Sequence, residues 1–195
     1  MTQLGLFSGV PRDALAYLAT DGKTPNTAFN RSNLPRLGLY DSAGDTGNVA
    51  LTTQVMTSVP VFLVAGEVVT NISVRSGATA AGTPTNWWFA LYDTSSTPAL
   101  IAQSADQTST AWAASTTKTL ALSAAYTVLK TGVYWVGIHV KATTVPSLIG
   151  TIGAPSIVTG ERNLAVTSGS SLTATAPSTI ASPAAAAFVP YVVLT

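Results

Sequence analysis

The sequence predicts an all-β fold, an antiparallel β-sandwich of the jelly-roll type preceded by an extended N-terminal arm. Three observations predict it. From residue 58 onward, apolar and polar side chains alternate with a period of two, as in strands with one buried face. Loops of small residues separate these segments, and no long helical period interrupts them. Many strands with loops of uneven length favour a jelly roll over an immunoglobulin-like sandwich.

The alternation is clearest in residues 67–75 and 132–141. In the second segment the even-numbered positions are apolar and predict the inner face. Its odd-numbered positions include Trp135 and His139 and predict a less buried face, so we expect His139 to be partly exposed. The remaining predicted strands are residues 59–64, 87–93, 100–103, 118–122, 147–152, 163–166 and 188–194.

Residues 87–93, WWFALYD, are apolar on both faces, which is typical of a central strand with material packed on each side. The face that carries Trp87 is the more apolar, so we assign Trp87 to the core. Trp88 and Tyr92 share the other face, and Trp112 lies in a neighbouring loop. These three are the candidate contacts for a protein partner or a glycan.

Residues 1–56 differ from the rest of the chain, because glycines and prolines separate short apolar pieces. A short helix is expected at residues 12–19, and an extended segment at 37–40. The stretch cannot form a core of its own and is expected to be an arm, with the sandwich domain spanning residues 57–195. Within that domain, residues 165–187 read as a low-complexity loop, and the apolar C-terminus is expected to pair into a sheet or an interface.

Composition excludes several classes of protein. Only 9% of the 195 residues are charged and the net charge is +1, which gives no basic footprint for a nucleic acid. The absence of cysteine excludes disulfide scaffolds and thiolate metal sites. A hydrophobic content of 47% argues against intrinsic disorder. The chain begins without a signal-peptide pattern and contains no apolar run of membrane-spanning length, so a protein made in the cytoplasm and independent of membranes is expected.

Few side chains point to catalysis. His139 is the single histidine and lies in mid-strand, which is a poor position for a catalytic base. Asp93 and Asp106 flank one loop and resemble a carboxylate pair, but turn roles are expected for both. The segment 41–48 has oxygen-bearing side chains at alternate positions, yet it lacks a full calcium-loop spacing and is expected to be a polar turn. We predict a protein that is not an enzyme and has no cofactor or metal; a cell-wall hydrolase using Asp93, Asp106 or Glu67 is the weakest hypothesis.

Four segments together resemble a known group of proteins: WWFALYD at 87–93, TLAL at 119–122, GVYWVGI at 132–138 and the apolar C-terminus VPYVVL. They stand in a cysteine-free chain rich in Ala, Thr, Ser and Gly. The combination resembles virion structural proteins of tailed bacteriophages, especially those of actinobacterial hosts. In that group a W-x-x-L-Y-D strand precedes a G-x-Y-Y/W-V-G/A strand in a jelly-roll-like domain. The likeness covers residues 58–195.

The resemblance implies a virion protein that is made in the host cytoplasm and has no catalytic residues. It implies a capsid decoration, or cement, protein that forms a homotrimer and binds the major capsid protein or other virion subunits. Low surface charge suits such a role, because few ions must be desolvated at an interface. The candidate docking residues of the arm are Arg12, Lys23, Arg31 and Arg36.

A second function fits the same resemblance. The protein is then a minor tail or fibre protein whose sandwich binds host-surface carbohydrate. Trp88, Tyr92 and Trp112 are its expected sugar-stacking contacts.

Overall fold

The computed structural model describes residues 31–32, 49–152 and 163–195, and the regular secondary structure in these ranges is all β. The strands are β1 (Arg31–Ser32), β2 (Val49–Ala50), β3 (Met56–Leu63), β4 (Val68–Arg75), β5 (Asn86–Tyr92), β6 (Leu100–Gln103), β7 (Thr117–Thr127), β8 (Gly132–Lys141), β9 (Ser147–Leu148), β10 (Gly150–Ile152), β11 (Val166–Ser168), β12 (Ala184–Ala185), β13 (Phe188–Pro190) and β14 (Val192–Leu194).

Two antiparallel sheets form the sandwich. One has six strands in the order β12-β11-β3-β8-β5-β6, and the other has four in the order β1-β14-β4-β7. When β1, β3 to β8 and β14 are numbered one to eight along the chain, the larger sheet contains the order 2-7-4-5 and the smaller sheet has the order 1-8-3-6. This interleaving of two Greek keys is the jelly-roll topology, so the predicted fold class is confirmed.

Most predicted strands are found close to their expected positions, but the strand predicted at residues 163–166 shares only Val166 with β11. Residues 100–103 and 132–141 match β6 and β8 without adjustment. The segments 147–152 and 188–194 are each divided in two, because the chain leaves one partner strand and pairs with another. The apolar C-terminus pairs through β14 with β4, as expected.

The main core lies between the two sheets. The inner face predicted for β8 is confirmed, because Tyr134, Val136, Ile138 and Val140 all lie in this core. Trp87 of β5 is also buried here, as predicted. Alternate residues of β3 complete the layer together with three buried residues of β4, in which a register shift after Val69 interrupts the alternation. The two-residue period of the sequence is therefore the direct cause of the main core.

A second core covers the outer face of the six-stranded sheet. Residues 169–183, called the strap here, run across this face between β11 and β12. Ala176 and Ile180 of the strap pack against Met56, Trp88 and the other buried side chains of the sheet. The strap has no regular strand, yet it is a structural layer and not a solvent loop. Since β5 is covered on both faces, its prediction as a central strand is confirmed.

Two short pieces of the expected arm pair with the domain. β1 pairs with β14, and β2 pairs with β9. Leu51 then enters the main core. The expected helix at 12–19, the extended segment at 37–40 and the polar turn at 41–48 lie outside the described residues.

Candidate interaction surface

The three aromatic residues predicted to lie on the surface are buried. Trp88, Tyr92 and Trp112 are each at most 1% exposed, so their assignment as partner or glycan contacts is wrong. Trp112 packs in the main core, with its ring centroid 4.8 Å from that of Trp87 and 5.6 Å from that of Phe89. The loop before β7 thus carries a core side chain that strand periodicity does not reveal.

Trp88 and Tyr92 are buried by the strap, which also satisfies their polar atoms. The indole nitrogen of Trp88 donates to the carbonyl oxygen of Thr173 at 2.7 Å. The hydroxyl of Tyr92 donates to the carbonyl oxygen of Pro177 at 3.0 Å. Burial raises the pKa of this hydroxyl well above its ordinary value. Buried Trp and Tyr need such partners, and the strap backbone supplies them.

His139 is fully buried, so the expectation of a partly exposed side chain is wrong. Its ring stacks on Trp88 with the centroids 4.7 Å apart and an interplanar angle of 19°. Neither ring nitrogen has a hydrogen-bond partner. Burial lowers the pKa of His139 to about 4, and the opposing effects of the Leu172 backbone and of Asp106 compensate only in part.

The turn role expected of Asp106 is not what its hydrogen bonds show, because the carboxylate bonds to residues 19 and 20 positions earlier in the chain. Its carboxylate accepts hydrogen bonds from Asn86 Nδ2 at 2.7 Å and from the backbone nitrogen of Trp87 at 2.9 Å. It therefore fastens the loop after β6 to the beginning of β5.

Asp93, at the opposite end of β5, has the turn role expected of it. Its Oδ1 accepts from the Ser95 hydroxyl at 2.6 Å and from the Ala99 amide at 2.8 Å. Slight burial opposes ionisation, but these hydrogen bonds and that of the Ser95 amide hold the pKa of Asp93 below its usual value. Because seven residues of β5 separate Asp93 from Asp106, the two carboxylates do not form the pair that glycoside hydrolysis uses.

Glu67 also serves a turn, since its carboxylate accepts from the Val64 amide at 2.8 Å. Within the described residues, no cluster of three His, Asp or Glu side chains is arranged to hold a metal ion. Nor does this part of the chain contain a helix long and apolar enough to cross a bilayer.

Exposed apolar side chains concentrate at one end of the sandwich. Here β3 and β7 end and β4 and β8 begin, because Leu63 pairs with Gly132 and Val68 pairs with Thr127. Of the seven large apolar side chains exposed in the described residues, six lie at this end. We call them the apical surface: Phe62, Val64, Val68, Leu129, Val133 and Leu164.

Hydrogen bonds between the turns hold the apical surface in place. The backbone nitrogen of Gly66 donates to the carbonyl oxygen of Val128 at 2.8 Å, and the nitrogen of Val128 donates to the carbonyl oxygen of Glu67 at 2.8 Å. Gly66 has a φ of 92°, which favours glycine at this tight turn. Val64 and Leu129 thus project from an ordered pair of turns, and Phe62, Val68 and Val133 project from the strand ends beside them.

A groove of about 520 Å³ lies beside the apical surface. Val133 and Leu164 form part of its walls, Trp135 contributes the largest side chain, and Lys130 is its charged lining residue. The sequence does not reveal that these exposed residues lie at the same end of the sandwich. Their common location follows from the register of β3 with β8.

No protein-family model matches this chain, and a comparison with curated proteins gives no significant match. Inference about function therefore depends on the fold and on its surface.

Proposed function

We propose that this protein is a non-enzymatic structural component of a bacteriophage virion, namely a capsid decoration protein that binds and stabilises the head shell. The observation that carries the proposal is the apical surface, where six large apolar side chains are exposed at one end of the sandwich. Jelly rolls occur in viral capsid proteins as well as in lectins, so the fold is compatible with this role and does not by itself select it.

Exposing apolar groups to water costs free energy. Large apolar side chains gathered at one site mark a surface that a partner covers. Phe62 is 61% exposed and Leu129 is 81% exposed, so each has much apolar area to bury on binding. With few ions to desolvate, the surface suits a protein neighbour such as the major capsid protein.

The N-terminal arm is the second proposed contact with the shell. It has four basic residues, Arg12, Lys23, Arg31 and Arg36, and four acidic ones, so its net charge does not drive docking. Arg31 belongs to β1, whose backbone pairs with β14 of the same chain. Arg12, Lys23 and Arg36 lie outside the described residues, and their docking role stays a prediction, as does the homotrimer.

Binding to undecorated phage heads tests the apical contact. We expect the double substitution Phe62→Ser and Leu129→Ser to weaken binding at least tenfold, because buried aromatic and aliphatic anchors dominate most interfaces. The measurement is co-sedimentation of the protein with particles that lack it.

Ile152→Ser is the matched control. Ile152 is 62% exposed, as Phe62 is, but it belongs to β10, which pairs with β13 and not with the apical turns. The control should bind normally. Equal binding by the double variant and the natural protein would exclude the apical surface as the shell contact.

The second predicted function is a carbohydrate-binding tail or fibre protein. The aromatic residues expected to contact the carbohydrate are not accessible. Trp88, Tyr92 and Trp112 are covered by the protein itself. We therefore propose no carbohydrate site on the described residues.

A further inference from the structure

The strap is fastened to the six-stranded sheet at several points along its length. The side chain of Gln103 makes two of the bonds, donating to the carbonyl oxygen of Ala174 at 2.7 Å and accepting from the Ala176 amide at 2.6 Å. The Leu172 amide donates to the carbonyl oxygen of Gln54 at 3.0 Å, and the Ile180 amide donates to that of Pro98 at 2.9 Å. These bonds join the strap to three separate segments of the domain.

His139 lies beneath this layer. It pairs with Met56 of β3 on one side and with Trp88 of β5 on the other. Trp88 is itself bonded to the strap at Thr173. The imidazole is completely buried and its two nitrogens have no hydrogen-bond partner. A proton added to this ring would place a positive charge in an apolar site, where the Leu172 backbone and Asp106 offset only part of the cost of burial.

We propose that the strap is an acid-sensitive latch: protonation of His139 releases residues 169–183 from the sheet and uncovers the face formed by Trp88 and Tyr92. The latch is independent of the proposed virion function, because it needs only the contacts within this chain.

The charged surroundings of His139 support a response that depends on this one residue. Asp106, after β6, favours the protonated ring, and Lys141, at the end of β8, disfavours it. The strap, β3 and β11 contribute no ionisable side chain. Tyr92 of β5 stays neutral in acid, because its pKa is raised.

The direction of the pH dependence follows from the two states of His139. With the strap closed, burial lowers the pKa to about 4, whereas a solvated histidine has a pKa of 6.5. The open state therefore binds a proton more readily than the closed one. Above pH 6.5 the closed state keeps its full stability relative to the open state. This relative stability decreases as the pH falls toward 4. Over that interval the ratio of open to closed strap should rise on the order of a hundredfold.

Amide hydrogen exchange of the full chain, corrected for intrinsic rates, tests the latch. Between pH 6.5 and 4, protection of the Leu172, Ala176 and Ile180 amides should fall on the order of a hundredfold. Amides in the centre of β8, such as that of Val136, should keep their protection. Loss of protection in β8 together with the strap would mean global unfolding and would overturn the proposal.

The substitution His139→Phe distinguishes the effect of protonating the histidine from that of protonating the carboxylates, which also titrate in acid. Phenylalanine keeps an aromatic ring against Trp88 and cannot gain a proton, so strap protection should become nearly independent of pH. An unchanged acid response in this variant would refute the latch.

The natural protein provides a second measurement that needs no variant. Since His139 is the single histidine of the chain, its ring resonance in NMR is unambiguous. Its titration should be shifted below 6.5, and exchange of the strap should accelerate over the same pH range. An imidazole that titrates near 6.5 beneath a strap that remains protected would contradict the proposal.

Discussion

Gly137, in the middle of β8, shows how one missing side chain shapes the covered face of the large sheet. A Cβ at this position would lie 2.6 Å from Met56 Sδ and 3.1 Å from Tyr92 Cε2. Both neighbours are fully buried. The Tyr92 hydroxyl lies 3.2 Å from the same sulfur, so the space above Gly137 is where these two side chains meet.

We predict that Gly137→Ala destabilises the protein by about 1–3 kcal/mol, the usual cost of overpacking a buried site. Chemical denaturation monitored by tryptophan fluorescence gives the free energy of unfolding. The added methyl group must displace the Met56 side chain, which is fully buried.

Met56→Ala in the same background is the control. If the contact with Met56 is the cause, the double variant should lose less stability than the sum of the two single variants. Strict additivity would assign the effect to the backbone of Gly137 instead.

The strap is the element that sequence reasoning described least well. Apart from Leu172 and Ile180 it consists of Ser, Thr, Ala, Gly and Pro, which gives it no apolar period, and we predicted a loop from residues 165–187. In the structure its backbone carbonyls and amides bond to Trp88, Tyr92 and Gln103. Small side chains allow this, because they let the backbone approach the sheet closely.

We predict that Gln103→Leu loosens the strap. The substitution removes the two hydrogen bonds to Ala174 and Ala176, with a cost of about 1 kcal/mol or more. Amide exchange in residues 172–180 at neutral pH should accelerate, while β3 and β8 remain protected.

Gln107→Leu is the matched control, since the Gln107 side chain bonds only locally, to the carbonyl oxygen of Ala105 at 3.0 Å. It should leave exchange in the strap unchanged. Equal rates of strap exchange in the two variants would show that the Gln103 side chain does not anchor the strap.

At the scale of the whole molecule, the jelly roll requires a piece of the segment that we predicted as an arm. β1 supplies the first of the eight strands and pairs with β14 at the edge of the smaller sheet. A truncation that asks whether the arm docks on the shell must therefore end before residue 31, because a longer one also removes a strand.

We predict that deletion of residues 1–28 weakens binding to undecorated heads and leaves the domain folded. Co-sedimentation with particles measures the binding, and the melting temperature reports on the domain. A second deletion, of residues 1–40, should lower the melting temperature as well, because β1 is lost. Undiminished binding by the shorter deletion would exclude the arm as a docking element.

The sequence by itself determined the fold class, the central position of β5 and the inner face of β8. It also predicted the turn role of Asp93. All of these depend on neighbours within a few residues, where the two-residue period and the hydrogen bonding of Asp are visible locally.

Tertiary structure alone decided which aromatic residues are exposed. Trp88 and His139 are buried because the strap, 30 or more residues further along the chain, covers them. Phe62 and Leu129 meet at one end because β3 and β8 pair in a particular register. Alternation shows that a strand has two faces, but only the other layers of the fold decide which faces are covered. The low charge content does not tell which face of a sheet is covered. For the outer face of the large sheet, the packing of the strap shows that the face is covered.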